Sequence, residues 1–116
     1  MIAIGVGCRR GCPAEDIVAL IERACAQVAA APGVLATSEI KCHEAGIREA
    51  AARLRLSLAF VAEGAIAAAQ GRCATQSARG IPSVAEAAAL VAAGPGSRLL
   101  LARIATPLAT CALAAG

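Results

Sequence analysis

The stretch Gly5-Val6-Gly7-Cys8-Arg9-Arg10-Gly11-Cys12-Pro13-Ala14-Glu15-Asp16 decides the fold of this chain. It overlaps a short apolar run over residues 2–6, which is typical of a strand buried on both faces of a sheet. Gly7 and Gly11 allow the backbone to turn tightly, and Pro13 suits the first position of a helix because its missing N–H has no partner there. The stretch therefore predicts a strand, a glycine-flanked loop and a helix.

The start of this helix carries a variant capping pattern. Cys12 is predicted at the N-cap and Glu15 at the third helical position, which makes a capping box with a thiol in place of the usual hydroxyl. Because sulfur is a weak hydrogen-bond acceptor, we expect this cap to be weaker than one formed by Ser or Thr.

The double arginine of the loop favours an anionic ligand. A helix N-terminus presents unpaired N–H groups, and the guanidiniums of Arg9 and Arg10 can each bind a carboxylate or phosphate through two hydrogen bonds. Two solvated surface arginines are the alternative. The loop is not a P-loop, since no Gly-Lys-Ser/Thr follows it. It is not a dinucleotide fingerprint either, since Arg10 stands where the third glycine would be.

The composition indicates a single domain over residues 1–116. Leu, Ile and Val must fill its core, because Phe60 is the only aromatic residue. The net charge of +3 is modest and the basic residues are scattered, so no nucleic-acid surface is expected. The chain starts on an apolar strand and carries no apolar run long enough for a membrane span, so we expect a cytoplasmic protein.

The rest of the chain alternates helices and strands. The first helix is predicted over residues 13–30, before Pro32 and Gly33. The elements predicted after it are a strand at 34–38, a helix with its apolar face at 47–54, a strand at 57–61, a short helix at 63–69, a polar loop at 70–82, a helix from 83 to just before Gly94, and strands at 98–105 and 107–115.

This order predicts an α/β fold with three layers, α/β/α, around a mostly parallel mixed sheet of about five strands that ends in an antiparallel hairpin. Such sheets bind ligands outside the carboxyl ends of their parallel strands. Polar segments follow the first strand, the second strand at 38–46, and the third strand. We therefore expect these segments to meet in one cleft.

The cysteines and the one histidine do not indicate a disulfide or metal protein. The six cysteines lack the spacing of a small disulfide scaffold. Cys8 and Cys12 lie beside arginines, which would lower a thiol pKa, but they form no C-x-x-C motif, so buried or capping thiols are preferred to catalytic ones. Cys42, His43 and Glu44 are adjacent, so on a helix they point about 100° apart and cannot share one ion. No metal site and no cofactor are predicted.

Two polar pairs have both a structural and a functional interpretation. Lys41 and Glu44 lie near the expected cleft, yet at this spacing they also suit an ion pair worth a few tenths of a kcal/mol on a solvated helix start. Ser83 and Glu86 form a full capping box for the fourth helix. We therefore expect the pair to act first as a helix cap. Its second expected role is to present the start of this helix to a ligand.

Three motifs resemble one family in their order and spacing. They are Gly5 to Gly11 followed by Pro-Ala-Glu, Lys41 with Glu44 and Gly46, and Gly-Ile-Pro-Ser-Val-Ala-Glu-Ala-Ala-Ala-Leu at residues 80–90. Together they are similar to the CobE and CbiG C-terminal family of cobalamin (vitamin B12) biosynthesis, over nearly the whole chain. The resemblance implies a protein of corrin ring synthesis that handles a tetrapyrrole-derived precorrin intermediate.

The resemblance leaves three functions open. The first is a carrier or pathway accessory that binds a precorrin- or corrin-type intermediate through its carboxylates. The second is a hydrolase that opens a ring lactone of a precorrin-5A-type intermediate, with Glu44 or Glu86 as general base. The third is a non-catalytic interaction subunit of a corrin-pathway enzyme. For His43, an exposed position is preferred to a cobalt contact. The predicted ligand-binding residues are Gly7, Cys8, Arg9, Arg10, Gly11, Cys12, Lys41, Arg79, Gly80 and Ser83.

Overall fold

A computed structural model of the protein describes residues 1–76, 80 and 82–116. The strands are β1 (Ile2–Cys8), β2 (Val34–Ser38), β3 (Ser57–Val61), β4 (Arg98–Ala105) and β5 (Ala109–Ala115). The helices are α1 (Ala14–Val28), α2 (Ala45–Arg53), α3 (Glu63–Ala69) and α4 (Val84–Ala93), with short 3₁₀ helices at Glu39–Lys41 and Gln70–Arg72.

The strands form one mixed sheet in the order β3-β2-β1-β5-β4. β1 pairs in parallel with β2, and β2 in parallel with β3. β5 is antiparallel to both of its neighbours, β1 and β4, so it is the one strand of this sheet that runs opposite to the other four. The predicted α/β class, mixed sheet and C-terminal hairpin are confirmed.

The helices cover both faces of the sheet. On one face, α1 and α2 pack on Ile4, Val6 and Leu35. On the other face, α3 and α4 pack on small side chains such as Ala3 and Ala36. Because this second face is made largely of alanine, α4 can lie unusually close to the central strand. The three predicted layers are therefore present.

The start of α1 differs from the prediction. Pro13 is the N-cap, with an extended backbone at φ −63° and ψ 147°, and no side chain caps this helix. Since the ψ of Pro13 lies outside the helical region, the helix begins one residue later than predicted. The Cys12 thiol donates to the carbonyl of its neighbour Pro13, at 3.6 Å. The predicted capping box of Cys12 and Glu15 is therefore wrong.

The hairpin turn also differs from the prediction. β5 begins at Ala109, because Pro107 and Leu108 form the turn and not the start of the strand. The Thr106 N–H donates to the Ala109 carbonyl at 2.8 Å, and the Thr106 hydroxyl accepts from the Ala109 N–H at 3.2 Å. This two-residue turn lies at the same edge of the sheet as the carboxyl end of β1. No helix within the described ranges is long and apolar enough to cross a membrane.

Candidate functional site

A cleft of about 490 Å³ lies at the carboxyl ends of β1 and β2. Gly7 and Cys8 at the end of β1 line it on one side, and Ile40 and Lys41 of the first 3₁₀ helix line it on another. Ile66 of α3 contributes an apolar wall. This volume falls within the range of roughly 300–1,000 Å³ that is usual for small-molecule sites. We call it the central cleft, and it brings together the segments that follow the first three strands.

Two smaller hollows adjoin the central cleft. The first, of about 410 Å³, is lined by Arg10, His43 and Glu44, and it shares Ile40 and Lys41 with the central cleft. We call it the Arg10 hollow. The second, of about 310 Å³, is lined by Arg9 and the hairpin turn and shares Gly7 and Cys8 with the central cleft; we call it the Arg9 hollow. The two arginines therefore lie on opposite flanks of one concave edge.

The arginine loop is held by its backbone, which leaves its side chains free. The Arg9 N–H donates to the Leu108 carbonyl at 2.9 Å, and the Cys12 N–H donates to the Arg9 carbonyl at 3.1 Å. Gly11 has a φ of +76°, which favours glycine. Arg9 and Arg10 are exposed, and within the described part of the chain neither forms an ion pair. Among the described residues, neither guanidinium has an ion-pair partner that an anionic ligand would have to displace.

Glu44 ties the second motif to the arginine loop. Its carboxylate accepts a hydrogen bond from the Gly11 N–H at 2.8 Å. The ion pairs among the described residues join Arg53 to Glu15 and Glu49, so the alternative of a Lys41–Glu44 ion pair is wrong for this structure. Sequence reasoning missed the contact between Glu44 and Gly11, because it joins residues that are far apart in the chain.

The second motif needs a glycine at position 46 because the backbone packs closely there. A Cβ at Gly46 would overlap the carbonyl oxygen of Cys12, so only glycine allows the start of α2 to approach the arginine loop this closely. Gly46 and Glu44 thus act on the same loop, one by close packing and one by a hydrogen bond. The second motif positions the first.

The 3₁₀ helix Glu39–Lys41 is anchored on both sides. The Glu39 carboxylate accepts from the Glu63 N–H at 2.8 Å, which joins it to the first turn of α3. The Arg48 guanidinium donates to the Cys42 carbonyl at 2.9 Å. Beneath it, the buried Thr37 hydroxyl donates to the Val6 carbonyl at 2.7 Å. Sequence reasoning did not single out Glu39, because its partner Glu63 lies 24 residues further along the chain.

The thiols at the site are poor nucleophiles. Burial raises the pKa of Cys8 to about 11, against the opposing effect of Lys41, and the negative charge of Glu44 raises it further. Burial also raises the pKa of Cys12. Both thiols are therefore protonated at neutral pH, which agrees with their preferred interpretation as buried thiols.

The third motif includes the start of α4, and one of its residues lines the central cleft. The Ser83 hydroxyl accepts from the Glu86 N–H at 3.1 Å, as predicted for a cap. The reciprocal bond of a full capping box is absent from this pair, because the Ser83 N–H donates to the Thr75 carbonyl at 3.1 Å. Val84, the next residue, lines the central cleft. Gly80 is exposed with a φ of +77°, and Arg79 lies outside the described residues.

Glu86 is fully buried, and both of its carboxylate oxygens accept hydrogen bonds. The donors are the backbone N–H groups of Ala74, Thr75 and Arg103, at 2.7, 3.0 and 2.8 Å, and the Thr75 hydroxyl at 2.9 Å. Burial alone would raise the pKa of this carboxyl, but these hydrogen bonds hold it below the usual value for Glu. Glu86 therefore joins the loop after α3 to β4, and a catalytic role for it stays a prediction.

The metal-capable side chains are not gathered into one centre. His43 is exposed on the wall of the Arg10 hollow. Across the part of the chain that the structure describes, no three His, Cys, Asp or Glu residues are close enough to hold an ion together.

The chain matches, over residues 2–114, the family described as cobalamin synthesis G C-terminus. Protein CobE from Sinorhizobium sp. is 36% identical to it over 97% of this chain and 79% of that protein. The chain thus belongs to the family of CobE and the cobalamin synthesis G C-terminus, and it is a cobalamin biosynthesis protein. The resemblance carried by the three sequence motifs is confirmed.

Solved structures of similar proteins share this fold. The crystal structure of cobalamin biosynthesis protein chiG from Agrobacterium tumefaciens str. C58 is 36% identical, with a TM-score of 0.85 over 99% of this chain and 98% of that chain. The crystal structure of CobE, a protein from the cobalamin biosynthetic pathway, is 36% identical, with a TM-score of 0.90 over 98% of this chain and 89% of that chain. A cobalamin biosynthesis protein G homolog from Sulfolobus solfataricus is 24% identical and shares the fold, with a TM-score of 0.77 over 97% of this chain and 36% of that chain.

Proposed function

We propose that this protein binds a precorrin- or corrin-type tetrapyrrole intermediate through its peripheral carboxylates, as a carrier or accessory of the cobalamin pathway. The observation that carries this proposal is the arrangement of three cationic side chains around one concave edge. Lys41 lies between the central cleft and the Arg10 hollow, and the two arginines lie in the hollows on either side.

The shape and chemistry of the edge suit such a ligand. Precorrin-type intermediates are large rings with an apolar face and with acetate and propionate groups around the rim. The central cleft offers apolar contacts from Ile66, Ala67 and Val84. Lys41 lines the same cleft, and the two arginines line the hollows that adjoin it. Because arginine binds a carboxylate through two hydrogen bonds, Arg9 and Arg10 can each fix one group of the rim. Lys41 supplies a third contact, as a point charge.

A hydrolase is the second candidate, because Glu44 lies in the Arg10 hollow beside His43. A carboxylate there could accept a proton from a water that attacks a lactone held by the arginines. Its hydrogen bond with the Gly11 N–H already engages the carboxylate and ties it to the loop, which makes the binding function the better supported of the two.

The test is a visible-absorbance titration with hydrogenobyrinic acid, a metal-free corrin polycarboxylic acid, followed by mass spectrometry of the recovered ligand. We expect wild-type protein to bind it and Arg9→Ala/Arg10→Ala to bind about 100-fold more weakly, since each lost charge-assisted contact removes roughly 1.5 kcal/mol. The control is Arg55→Ala/Arg98→Ala, which removes the same charge from exposed arginines at the opposite edge of the sheet. It should bind like the wild type.

The same experiment, extended to a precorrin-type lactone, separates the candidate functions. Binding with unchanged ligand mass supports a carrier. A change in ligand mass that is lost in Glu44→Gln supports the hydrolase with that residue as the base. Loss in Glu86→Gln alone assigns the base to Glu86 only where circular dichroism shows that this variant is folded under the assay conditions. An absence of binding overturns both and leaves an interaction subunit of a corrin-pathway enzyme. A cytoplasmic location stays a prediction.

A further inference from the structure

Ile40 is an apolar side chain held out in solvent at the centre of the proposed site. It is 63% exposed, and the other exposed large apolar side chains among the described residues are Met1 and Leu108. Ile40 lines both the central cleft and the Arg10 hollow, so it forms the rim between them. Removing an isoleucine side chain from water is favourable, so a ligand that covers Ile40 gains binding free energy from this contact.

The backbone around Ile40 is fixed, so the side chain is presented in one place. The Ile40 N–H donates to the Ser38 hydroxyl at 3.4 Å. On one side the Glu39 carboxylate binds the Glu63 N–H, and on the other the Arg48 guanidinium binds the Cys42 carbonyl. These contacts tie the segment to α3 and to α2. The backbone of Ile40 is therefore held at this place between the two helices.

The charges beside Ile40 indicate what covers it. Lys41 follows it directly and lines the same two hollows, and Arg10 lines one of them. An apolar contact flanked by cations suits a ligand that has an apolar ring face inside an anionic rim. A polycarboxylate without a ring could satisfy the cations but would leave Ile40 in water.

We infer that Ile40 is the residue on which the apolar face of the ring rests, bridging the central cleft and the Arg10 hollow, while Lys41 and Arg10 bind carboxylates of the rim. This inference rests on the proposed function and adds a specificity determinant to it. Ile40 selects for a macrocyclic polycarboxylate over an acyclic one, and the cations alone cannot make that distinction.

The test compares Ile40→Gln and the conservative Ile40→Leu with wild-type protein, using hydrogenobyrinic acid and citrate as probes in calorimetric titrations. Ile40→Gln should weaken corrin binding about tenfold, because the apolar contact is lost, and Ile40→Leu should stay within about twofold of wild type. Citrate should bind more weakly than the corrin, and its affinity should be the same for all three proteins. Thermal unfolding of each variant checks that the fold is intact, and the exposure of Ile40 makes equal melting temperatures the expected result.

The dependence of corrin affinity on ionic strength is a second measurement. It distinguishes the loss of an apolar contact from the loss of a charge. Ile40→Gln should keep the wild-type slope of affinity against ionic strength, whereas Lys41→Gln should reduce it, since only the latter removes a charge. If wild-type protein binds the corrin and Ile40→Gln binds it equally well, this inference is overturned and the proposed function stands. If wild-type protein does not bind the corrin, both are overturned.

Discussion

At the scale of single residues, the Glu86 carboxylate is the most constrained polar group of the described structure. It is fully buried and accepts from three backbone N–H groups and one hydroxyl. One donor is the N–H of Arg103, within the stretch of β4 where its register with β5 shifts between Leu101 and Ile104. The carboxylate thus satisfies a strand N–H in an irregular part of the ladder.

Glu86→Gln is expected to destabilise the protein by about 2–4 kcal/mol at pH 7. The amide replaces one acceptor oxygen by an NH₂ group that faces backbone donors, which leaves buried N–H groups unpaired. The measurement is urea unfolding followed by circular dichroism. Glu22→Gln, an exposed carboxyl on α1, is the control and should change the unfolding free energy by less than about 0.5 kcal/mol. An equally small change in Glu86→Gln would contradict this account of the residue.

The same substitution predicts a change in pH dependence. The pKa of Glu86 is lowered in the folded protein, so its contribution to stability is complete above the pKa of the unfolded state, about 4.3. That contribution is lost as the pH falls through the lower, folded-state pKa. Wild-type protein should therefore lose stability below about pH 4.3, and Glu86→Gln should lose less over the same interval. Unfolding curves from pH 6 to pH 2.5 measure the difference.

At the scale of elements, the distance between α4 and β1 depends on Gly5. A Cβ at this position would overlap the Ala85 carbonyl oxygen and lie 2.7 Å from the Ala89 nitrogen, both of them backbone atoms of α4. The helix can lie this close because it faces the sheet with alanines. Gly5 and the alanines of α4 therefore set the distance between this helix and the sheet.

Gly5→Ala should destabilise the protein by about 3 kcal/mol or more, because α4 must move away from a close-packed sheet to accept one methyl group. Gly33→Ala is the matched control, since nothing lies within 4 Å of a Cβ there. We expect Gly33→Ala to leave the melting temperature within a few degrees of wild type, and Gly5→Ala to lower it by roughly 10 °C. Equal melting temperatures for the two variants would show that α4 is not packed as described.

At the scale of the whole molecule, the site is assembled from segments that follow three different strands. The arginine loop, the 3₁₀ helix at 39–41 and the start of α3 are joined by two carboxylates, since Glu44 binds Gly11 and Glu39 binds Glu63. These contacts make the concave edge one connected unit. A ligand that binds any one segment should therefore stabilise the others.

Hydrogen exchange tests this connection. When hydrogenobyrinic acid is bound, amide exchange should slow together over residues 8–12, 39–44 and 63–70, because opening any of these segments must then release the ligand. Amides at 29–33 and 94–97, at the opposite edge of the sheet, serve as the internal control and should change little. Protection confined to one segment would contradict the assembly of the site from all three.

The sequence by itself determined most of the elements and the edge of the sheet where the central cleft lies. Strands at 57–61 and 98–105 and the helix at 63–69 begin and end where they were predicted, because apolar periodicity and the turn residues around them are local signals. Only the tertiary structure decided which polar groups meet. Gly11 and Glu44 are 33 residues apart, and Glu39 and Glu63 are 24 apart, so no local pattern records their hydrogen bonds. It also divided the paired arginines between two hollows, because neighbouring side chains of a turning loop point in different directions.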